Sequence, residues 1–305
     1  MNKKLEIILT FMFLSLFSIG TIYPVLNIMG VSLRSDNAFQ TQSLSLIQVK
    51  ENFEDINNNG KWDEGELFTD NNGNGIWDSG SSFKSYVTLF MNTDFLLWAR
   101  NSIIISLLVT MTGVMFASTG GYALSRFKFK GREFGMIALL TTQMFPATML
   151  LLPFFILLSY LGLINSYFGL IIIYSSTALP FCIWQMKGYY DTIPPSLEES
   201  ARLDGCTRFQ AFYKIILPLS SPALVITALF SFMASWSEYV VAAIILQDPK
   251  LYTLPLGLKS FQASLSTQWG LYAAGAVVVS IPVTFLFISL SKYLVSGLTM
   301  GSVKG

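Results

Sequence analysis

Residues 102–124 read SIIISLLVTMTGVMFASTGGYAL, a run of 23 residues that contains no charged side chain. A helix of about 20 predominantly apolar residues is long enough to cross the hydrocarbon core of a bilayer. Inside that core only a helix or a closed barrel pairs all of its own backbone donors and acceptors, and this run has the length of a helix. The stretch therefore predicts a transmembrane helix and places the chain among the all-α integral membrane proteins.

The rest of the 305-residue chain repeats this pattern, and a composition of 52% hydrophobic and 12% charged residues is typical of a membrane protein. The first apolar run is too long for a signal peptide and no cleavage site follows it, so it is interpreted as an uncleaved anchor. The sequence thus predicts six transmembrane helices. Besides Ser102 to Leu124, they cover Ile7 to Met29, Met136 to Tyr160, Tyr167 to Met186, Pro222 to Leu246 and Ala273 to Leu294.

The absence of certain residues and motifs from the sequence excludes several classes of function. It contains no histidine, which excludes Ser/His/Asp and Cys/His catalytic sites and every histidine-ligated metal site. It has no Gly-x-x-x-x-Gly-Lys-Ser/Thr phosphate-binding loop, so the chain is not expected to be an enzyme that hydrolyses ATP by that route. A net charge of +1 gives no sign of a nucleic-acid partner, and two cysteines make no disulfide framework.

The distribution of Lys and Arg predicts the orientation in the membrane. Twelve of the 19 basic residues fall on the same side as the N-terminus, and the short turn 126–132 alone holds four of them. The positive-inside rule makes this side cytoplasmic, so both termini are expected in the cytoplasm and the chain in the cytoplasmic membrane. The predicted organisation is a first transmembrane helix at 1–33, an outside loop at 34–94, a transmembrane core at 95–296 with a cytoplasmic loop at 187–221, and a cytoplasmic tail at 297–305.

The cytoplasmic loop is the most informative stretch outside the spans. Residues 195–218 read PSLEESARLDGCTRFQAFYKIILP. Ser196 followed by Glu199 has the pattern of a helix capping box, and Gly205 fits the end of that helix, where a positive φ is needed. A second helical stretch, residues 209–217, stops at the proline that follows. This helix–Gly–helix segment is either an amphipathic connector lying on the membrane or a docking element for a soluble partner.

The same stretch resembles the EAA loop in the membrane permeases of bacterial ATP-binding-cassette (ABC) importers. In that loop Glu-Ala-Ala is followed by a glycine and then by Ile-x-Leu-Pro. Ser200 and Cys206 stand where the family has alanine, and both side chains are small. The resemblance implies that the loop forms a coupling helix that docks into a groove on a separate ATPase subunit. The residues implied in this coupling are Glu199, Ser200, Ala201, Asp204, Gly205, Ile215, Leu217 and Pro218.

Three further stretches resemble the sugar branch of that family, the maltose/maltodextrin-type permeases with a MetI-like transmembrane domain. They are residues 98–102 before the second span, residues 121–132 after it, and the tail at 293–305. The resemblance implies import of a carbohydrate, in particular a maltose- or maltodextrin-like oligosaccharide. The implied partners are a second homologous permease, two ATPase subunits and a periplasmic or lipid-anchored sugar-binding protein.

Two alternatives stay open from the sequence. One is an ABC import permease for a solute other than sugar. The other is an ion-driven secondary transporter, which predicts several buried ionisable residues and inverted repeats. Within the spans only Glu238 is a clear ionisable residue. Together with Trp236 and Tyr239 it is a candidate for lining the substrate pathway or forming a gate. The alternative is that Glu238 lies near the membrane surface and reaches water, and that Trp236 and Tyr239 are aromatic anchors at the interface.

The outside loop contains a pattern that the resemblance does not cover. Residues 55–66 read DINNNGKWDEGE, which has the spacing of an EF-hand calcium loop, and the pattern begins again fifteen residues later at Asp70. The second copy ends at Ser81, where a bidentate Glu is expected, so weaker binding or shared ligands are expected there. Trp62 and Trp77 hold equivalent places and are expected to pack together. The candidate calcium ligands are Asp55, Asn57, Asn59, the carbonyl of Lys61, Asp63 and Glu66 in the first copy, and Asp70, Asn72, Asn74 and Asp78 in the second.

A solvated, Asn/Gly-rich disordered loop is the alternative interpretation of this stretch. No cofactor is expected in the transmembrane core.

Overall fold

The computed structural model describes residues 3–35, 48–71, 75, 77–262 and 267–300. Every regular element in these residues is helical, apart from two isolated β-bridges, which confirms the all-α class. The chain divides into two units, one formed by Met1–Leu96 with Gly257–Ile281 and the other by Leu97–Leu256 with Pro282–Gly305. In chain order the helices are α1 (Lys3–Ser32), α2 (Lys84–Met91), α3 (Phe95–Arg126), α4 (Arg132–Thr142), α5 (Leu151–Tyr160), α6 (Tyr167–Thr192), α7 (Ser196–Leu203), α8 (Arg208–Ala211), α9 (Leu217–Leu219), α10 (Ser221–Trp236), α11 (Val240–Ile245), α12 (Leu254–Lys259) and α13 (Trp269–Met300).

Four helices in the described part of the chain are long and apolar enough to cross a membrane: α1, α3, α6 and the Trp269–Tyr293 part of α13. They coincide with the first, second, fourth and sixth predicted spans. Helix α1 is exposed along nearly its whole length, and only Gly30, Val31 and Ser32 at its end are buried. So large an apolar surface requires lipid or another protein around it.

The third predicted span is not one continuous helix. Helix α4 ends at Thr142, a 3₁₀ turn follows at Ala147–Leu150, and α5 begins at Leu151. The expectation of a single helix from Met136 to Tyr160 is therefore wrong. Pro146 accounts for the break, because proline has no backbone N–H and forces the residue before it away from the helical conformation.

The fifth predicted span, Pro222 to Leu246, is also divided. Helix α10 ends at Trp236, and α11 begins only at Val240. The residues between them include Glu238, whose side chain replaces the missing helical hydrogen bonds in the way described below. With two of the predicted spans broken, the count of six crossings stays a prediction.

The segment ahead of α10 does not stop at Pro218, contrary to the expectation from sequence. It runs from Arg208 through a π turn at Phe212–Ile216 into α9, and it meets α10 at an angle of 78°. Pro218 lies directly after the π turn, and a local change of helical geometry of this kind allows a proline inside a membrane helix. The bend follows at Ser220, whose buried hydroxyl donates to the backbone carbonyl of Ile216 at 2.6 Å.

Glycines on α3 allow neighbouring helices to approach closely within the second unit. A Cβ atom at Gly113 would lie 2.4 Å from Ser231 Oγ on α10, and one at Gly121 would lie 2.8 Å from Met186 Cβ on α6. Close packing at small residues is a common means of helix association in membranes, where water does not drive helices together.

Hydrogen bonds at one end of this second unit join the start of α3, the turn before α6 and the residues after α11. Trp98 Nε1 donates to the carbonyl of Pro249 at 2.9 Å. Asn165 Oδ1 accepts from the backbone N–H groups of Gln247 and Asp248 at 2.9 and 3.0 Å. In the predicted six-helix topology these three places lie on the same side of the membrane, opposite to the cytoplasm.

Candidate functional site

Two short helices joined at Gly205 form the polar segment between α6 and α10. Helix α7 ends in a Schellman motif, in which the Cys206 N–H donates to the Ala201 carbonyl at 3.0 Å. The Gly205 N–H donates to the Arg202 carbonyl at 3.1 Å. Gly205 has a φ of +89°, the left-handed value that this place requires, so the helix end predicted from sequence is confirmed.

The capping box lies one helix later than predicted. Pro195 is the N-cap of α7 and Ser196 is its first residue, so the expected capping box of Ser196 and Glu199 is wrong. The φ of proline is already helical, which lets the helix begin at that proline. The capping box forms instead at α8: Thr207 Oγ1 accepts from the Gln210 N–H at 3.2 Å, and Gln210 Oε1 accepts from the Thr207 N–H at 2.8 Å.

A largely buried ion pair ties α7 to the end of α3. Arg126 Nε donates to Glu198 Oε1, and both side chains are only 13% exposed. The Tyr122 hydroxyl donates to the other oxygen, Glu198 Oε2, at 2.7 Å, and Arg126 Nη2 donates to the Ile193 carbonyl at 2.8 Å. Because water screens this pair less than an exposed one, it fixes the position of α7 more firmly than a surface ion pair would.

Aromatic side chains at the ends of α3 and α6 also pack against the segment around Gly205. The Phe212 ring lies 4.5 Å from the ring of Tyr122, and Tyr122 meets Tyr190 of α6 edge to face at 6.0 Å. The Arg208 guanidinium lies 5.5 Å from the centre of the Phe127 ring, within the range of a cation–π contact. The segment is thus seated on the ends of α3 and α6.

The residues implied in coupling occupy three kinds of position in this segment. Ala201 is buried, Ile215 and Leu217 are half-buried, and the other five are exposed or form the turn; these are Glu199, Ser200, Asp204, Gly205 and Pro218. Glu198 and Arg126, which hold the segment in place, were not singled out from sequence. Two adjacent glutamates gave no means of deciding which one would be anchored.

Large apolar side chains on both sides of the Gly205 turn face away from the protein. Leu203 is 89% exposed, Phe209 75% and Tyr213 63%. The same segment also contributes to a cleft of about 170 Å³, with Glu198, Glu199 and Arg202 in its lining. Exposed apolar residues next to charged ones are typical of a surface that binds another protein.

Glu238 lies in the break between α10 and α11 and acts as the N-terminal cap of α11. Its Oε1 accepts from the Val241 N–H at 2.9 Å, and its Oε2 accepts from the Ala242 N–H at 3.3 Å. The Tyr174 hydroxyl of α6 donates to Oε2 at 2.7 Å. The carboxylate therefore satisfies N–H groups that the interrupted helix leaves unpaired.

The two aromatic neighbours of Glu238 differ in their surroundings. Trp236 is buried and stacks on Phe232 with ring centres 5.3 Å apart. Tyr239 is half-buried and packs against the apolar core that includes Tyr174 and Ile245. A role of Trp236, Glu238 and Tyr239 in the substrate pathway stays a prediction.

The first predicted calcium loop, in the other unit of the chain, is tightly folded around its own ligands. Asp55 Oδ2 accepts from the Gly60 N–H at 2.7 Å, and Asp55 Oδ1 accepts from the Asn59 N–H at 3.1 Å. The side-chain amides of Asn57 and Asn59 both donate to Asp63 Oδ2, at 2.6 and 2.7 Å. These two bonds lower the pKa of the Asp63 carboxyl below its ordinary value, so it stays ionised in mild acid.

The second copy repeats the turn of the first. Gly75 has a φ of +73°, against +74° for Gly60 at the equivalent place. Asp70 Oδ2 accepts from the Gly75 N–H at 2.8 Å, as Asp55 does in the first copy. Asn72 and Asn74 lie outside the described residues.

The two tryptophans of these loops stack as expected, with the rings of Trp62 and Trp77 5.6 Å apart and inclined by 13°. Among the described residues no three Asp, Glu, Cys or His side chains converge closely enough to hold a metal ion by themselves. A calcium ion here would depend on amide and backbone oxygens as well as on carboxylates, as it does in EF-hand loops.

Apolar helices of membrane-spanning length, with a polar segment held firmly between them, define a polytopic membrane protein. Residues 109–300 match the family described as "Binding-protein-dependent transport system inner membrane component". The chain belongs to this family of membrane transport components, and it is therefore a permease component rather than an enzyme.

Relatives match along nearly the whole chain. The maltodextrin transport system permease protein MdxG of Bacillus subtilis is 33% identical over 99% of this chain and 98% of its own length. The maltose/maltodextrin transport system permease protein MalG of Escherichia coli is 33% identical over 100% and 98%. The galactooligosaccharides transport system permease protein GanQ of Bacillus subtilis is 38% identical over 73% and 81%.

A solved structure shows the same fold. A chain of a bacterial ABC transporter involved in the import of the acidic polysaccharide alginate superposes with a TM-score of 0.75 at 24% identity. The match covers 96% of this chain and 97% of the other.

Proposed function

We propose that this chain is the permease subunit of an ABC importer that carries an oligosaccharide of the maltodextrin class across the cytoplasmic membrane. The observation that carries the proposal is the match over nearly the full length of both chains to permeases of two maltodextrin systems. Other relatives are permeases for galactooligosaccharides and diacetylchitobiose, so the cargo common to these relatives is a short chain of sugar units.

The segment around Gly205 is the proposed docking surface for an ATPase subunit. The apolar side chains of Leu203, Phe209 and Tyr213 would enter the partner, and the ion pair of Arg126 with Glu198 would transmit its movement to α3. Closure of two ATPase subunits on ATP would thereby draw the segment along and open the helix bundle to the outside. This mechanism requires that the segment is firmly attached to α3 and α6. A loosely attached segment would move by itself and would not displace the transmembrane helices.

The remaining partners follow from the exposed apolar helices. A second, homologous permease would cover part of α1 and α13, whose membrane-spanning parts bury little of their surface within this chain. Two ATPase subunits would face the cytoplasm, together with both termini. A sugar-binding protein, periplasmic or lipid-anchored, would deliver the cargo from outside.

Uptake of radiolabelled oligosaccharides by the native host tests the proposal. A strain lacking this chain is expected to lose uptake of maltotriose and longer maltodextrins, to regain it from a plasmid copy, and to keep normal glucose uptake. Uptake should persist when a protonophore collapses the proton gradient while ATP is maintained.

Unchanged maltodextrin uptake in the deletion strain would contradict the assigned cargo. Loss of galactotriose or diacetylchitobiose uptake instead would assign another oligosaccharide, and loss of a non-sugar solute would place the chain outside the sugar branch. Collapse of uptake with the proton gradient at constant ATP would indicate an ion-driven transporter.

A further inference from the structure

The glutamate at the twelfth position of the first loop, Glu66, is held by four contacts, two through its carboxylate and two through its backbone. Glu66 Oε1 accepts from the N–H of Ile56, the second residue of the loop, at 3.0 Å. Glu66 Oε2 accepts from the N–H of Asp63, the ninth residue, at 3.0 Å. The backbone of Glu66 donates to the Asp63 carbonyl at 3.1 Å and accepts from Trp62 Nε1 at 3.2 Å.

Glu51 makes the same four contacts with the second loop, although it precedes the first. Its Oε1 accepts from the N–H of Asn71, the second residue of that loop, at 2.6 Å, and its Oε2 accepts from the N–H of Asp78, the ninth, at 3.1 Å. The backbone of Glu51 donates to the Asp78 carbonyl at 2.9 Å and accepts from Trp77 Nε1 at 3.0 Å. Glu51 therefore stands where the second loop lacks its own glutamate.

The packing between the two loops follows the same pairing. Phe53 and Phe68, fifteen residues apart like Glu51 and Glu66, form an antiparallel bridge. Each phenylalanine meets the tryptophan of the other repeat edge to face, Phe53 with Trp77 at 5.4 Å and Phe68 with Trp62 at 6.1 Å. The fifteen-residue repeat thus begins at Glu51 and not at Asp55, and the two copies are related by an approximate twofold arrangement.

We propose that this module binds two calcium ions and that Glu51 is the bidentate ligand of the second. Glu51 is 1% exposed, and a buried carboxylate requires compensation for its lost hydration. Two backbone N–H groups supply part of that compensation and hold the carboxylate at the same loop positions, the second and the ninth, that Glu66 contacts in the first loop. A hard divalent cation held by carboxylate, amide and backbone oxygens supplies the rest.

With Glu51 as a ligand, the second site gains the bidentate carboxylate that Ser81 cannot supply, in place of the weaker binding or shared ligands expected from the sequence. The Ser81 hydroxyl donates to the Gln48 carbonyl at 3.2 Å, so this residue holds the ends of the module together instead of completing its own loop. Calcium binding by this module does not depend on the proposed transport function or on the identity of the transported sugar.

The test uses the full-length chain in detergent after treatment with a chelator. Terbium(III), which replaces calcium at oxygen sites, is titrated while tryptophan-sensitised emission is recorded, and calcium is then added as competitor. Bound calcium per chain is counted by equilibrium dialysis at millimolar calcium, the range in which extracellular modules bind, on the order of 10⁻⁴–10⁻³ M. Glu51→Gln and Glu66→Gln are compared with Glu64→Gln, a control with the same change of charge at an exposed loop position.

The parent and Glu64→Gln are expected to bind two ions, and Glu51→Gln and Glu66→Gln one each. A parent that binds one ion or none overturns the proposal without reference to any variant. Two ions in Glu51→Gln would remove Glu51 from the second site. Loss of both ions in Glu51→Gln also contradicts the assignment, because it would show that Glu51 supports the whole module and not one site.

Discussion

Glu238 has a structural role in the fold, and a role in the substrate pathway is predicted for it as well. It caps α11 through the backbone of Val241 and Ala242 and accepts the hydroxyl of Tyr174. A residue in the substrate pathway would also need its charge, whereas a cap needs only an acceptor oxygen. Substitutions that keep the oxygen and remove the charge therefore separate the two roles.

Glu238→Gln is expected to keep the cap and nearly all of the thermal stability, because one amide oxygen still accepts from the α11 backbone. Glu238→Ala leaves those N–H groups unpaired and should lose about 0.5–2 kcal/mol of unfolding free energy. Thermal unfolding in detergent and sugar uptake are measured for both, with Tyr174→Phe as a control that removes one hydrogen bond only. A stable Glu238→Gln with normal uptake would argue against a pathway role.

Residues whose role depends on local backbone conformation were predictable from the sequence, whereas residues whose role depends on distant partners were not. Gly205 was predictable because only one residue type occupies a left-handed helix end without strain. The choice between Glu198 and Glu199 was not, because it depends on Arg126, which is 72 residues away in the chain. The contacts of Glu51 with the second loop were missed for a related reason: the calcium-loop pattern starts at its first aspartate, and Glu51 lies before it.

At the scale of the element, the broken helices have two different causes. Pro146 is a sequence signal for the break before α5, because proline lacks the N–H that a helix needs. The signal is not sufficient by itself, since Pro180 and Pro282 lie inside continuous helices. The break before α11 carries no such signal, because Ser-Glu-Tyr at 237–239 is compatible with a helix. Its origin is the Glu238 carboxylate, which competes for the N–H groups of the next turn.

Substitutions of Gly205 in the Schellman motif are expected to impair coupling to different degrees, according to how well each residue tolerates a positive φ. Gly205→Pro removes the N–H that bonds to Arg202 and cannot adopt a φ of +89°. Gly205→Ala keeps the N–H but is strained by about 1–2 kcal/mol, and Gly205→Asn is tolerated best because asparagine visits this conformation. A Cβ atom at this position would have no neighbouring atom within 4 Å, so the effect is conformational and not steric.

ATPase activity stimulated by the sugar-loaded binding protein should therefore fall in the order Asn, Ala, Pro, with copurification of the ATPase subunit falling in parallel. Glu199→Lys, on the exposed side of α7, should also weaken docking while leaving the protein in the membrane. Full stimulated activity in both Gly205→Pro and Glu199→Lys would remove the docking role from this segment.

At the scale of the whole molecule, the family match and the calcium module fall on different parts of the chain. The match covers residues 109–300, and the two calcium loops lie ahead of it, between Glu51 and Ser81. The variants that test transport therefore leave the proposed calcium ligands unchanged, and the variants that test calcium binding leave Gly205 and Glu238 unchanged. Four of the six predicted spans coincide with long apolar helices, because apolar length alone indicates them. The breaks in the other two do not follow from apolar length, and the pairing of the two loops depends on contacts between residues up to 27 positions apart.

The orientation of the molecule in the membrane can be tested by labelling single cysteines on its two sides. Lys128 and Lys250 are both exposed, and they lie at opposite ends of the second unit, the first near the Arg126 ion pair and the second beside the Trp98 hydrogen bond. Single cysteines are placed at these two positions after Cys182 and Cys206 have been replaced by alanine. With a membrane-impermeant maleimide, Lys250→Cys should label in intact cells and Lys128→Cys only after permeabilisation, because the basic turn is held on the cytoplasmic side.

A third variant, Lys61→Cys, carries the same test to the calcium module, whose side of the membrane depends on α1 crossing it once. It should label in intact cells, like Lys250→Cys, because Lys61 is exposed and the loop is expected outside. Labelling of Lys128→Cys in intact cells would reverse the orientation and place the Gly205 segment out of reach of any cytoplasmic ATPase. Labelling of Lys61→Cys only after permeabilisation would instead show that α1 does not cross the membrane, and it would put the calcium loops in a compartment where free calcium is too low to fill sites of millimolar affinity.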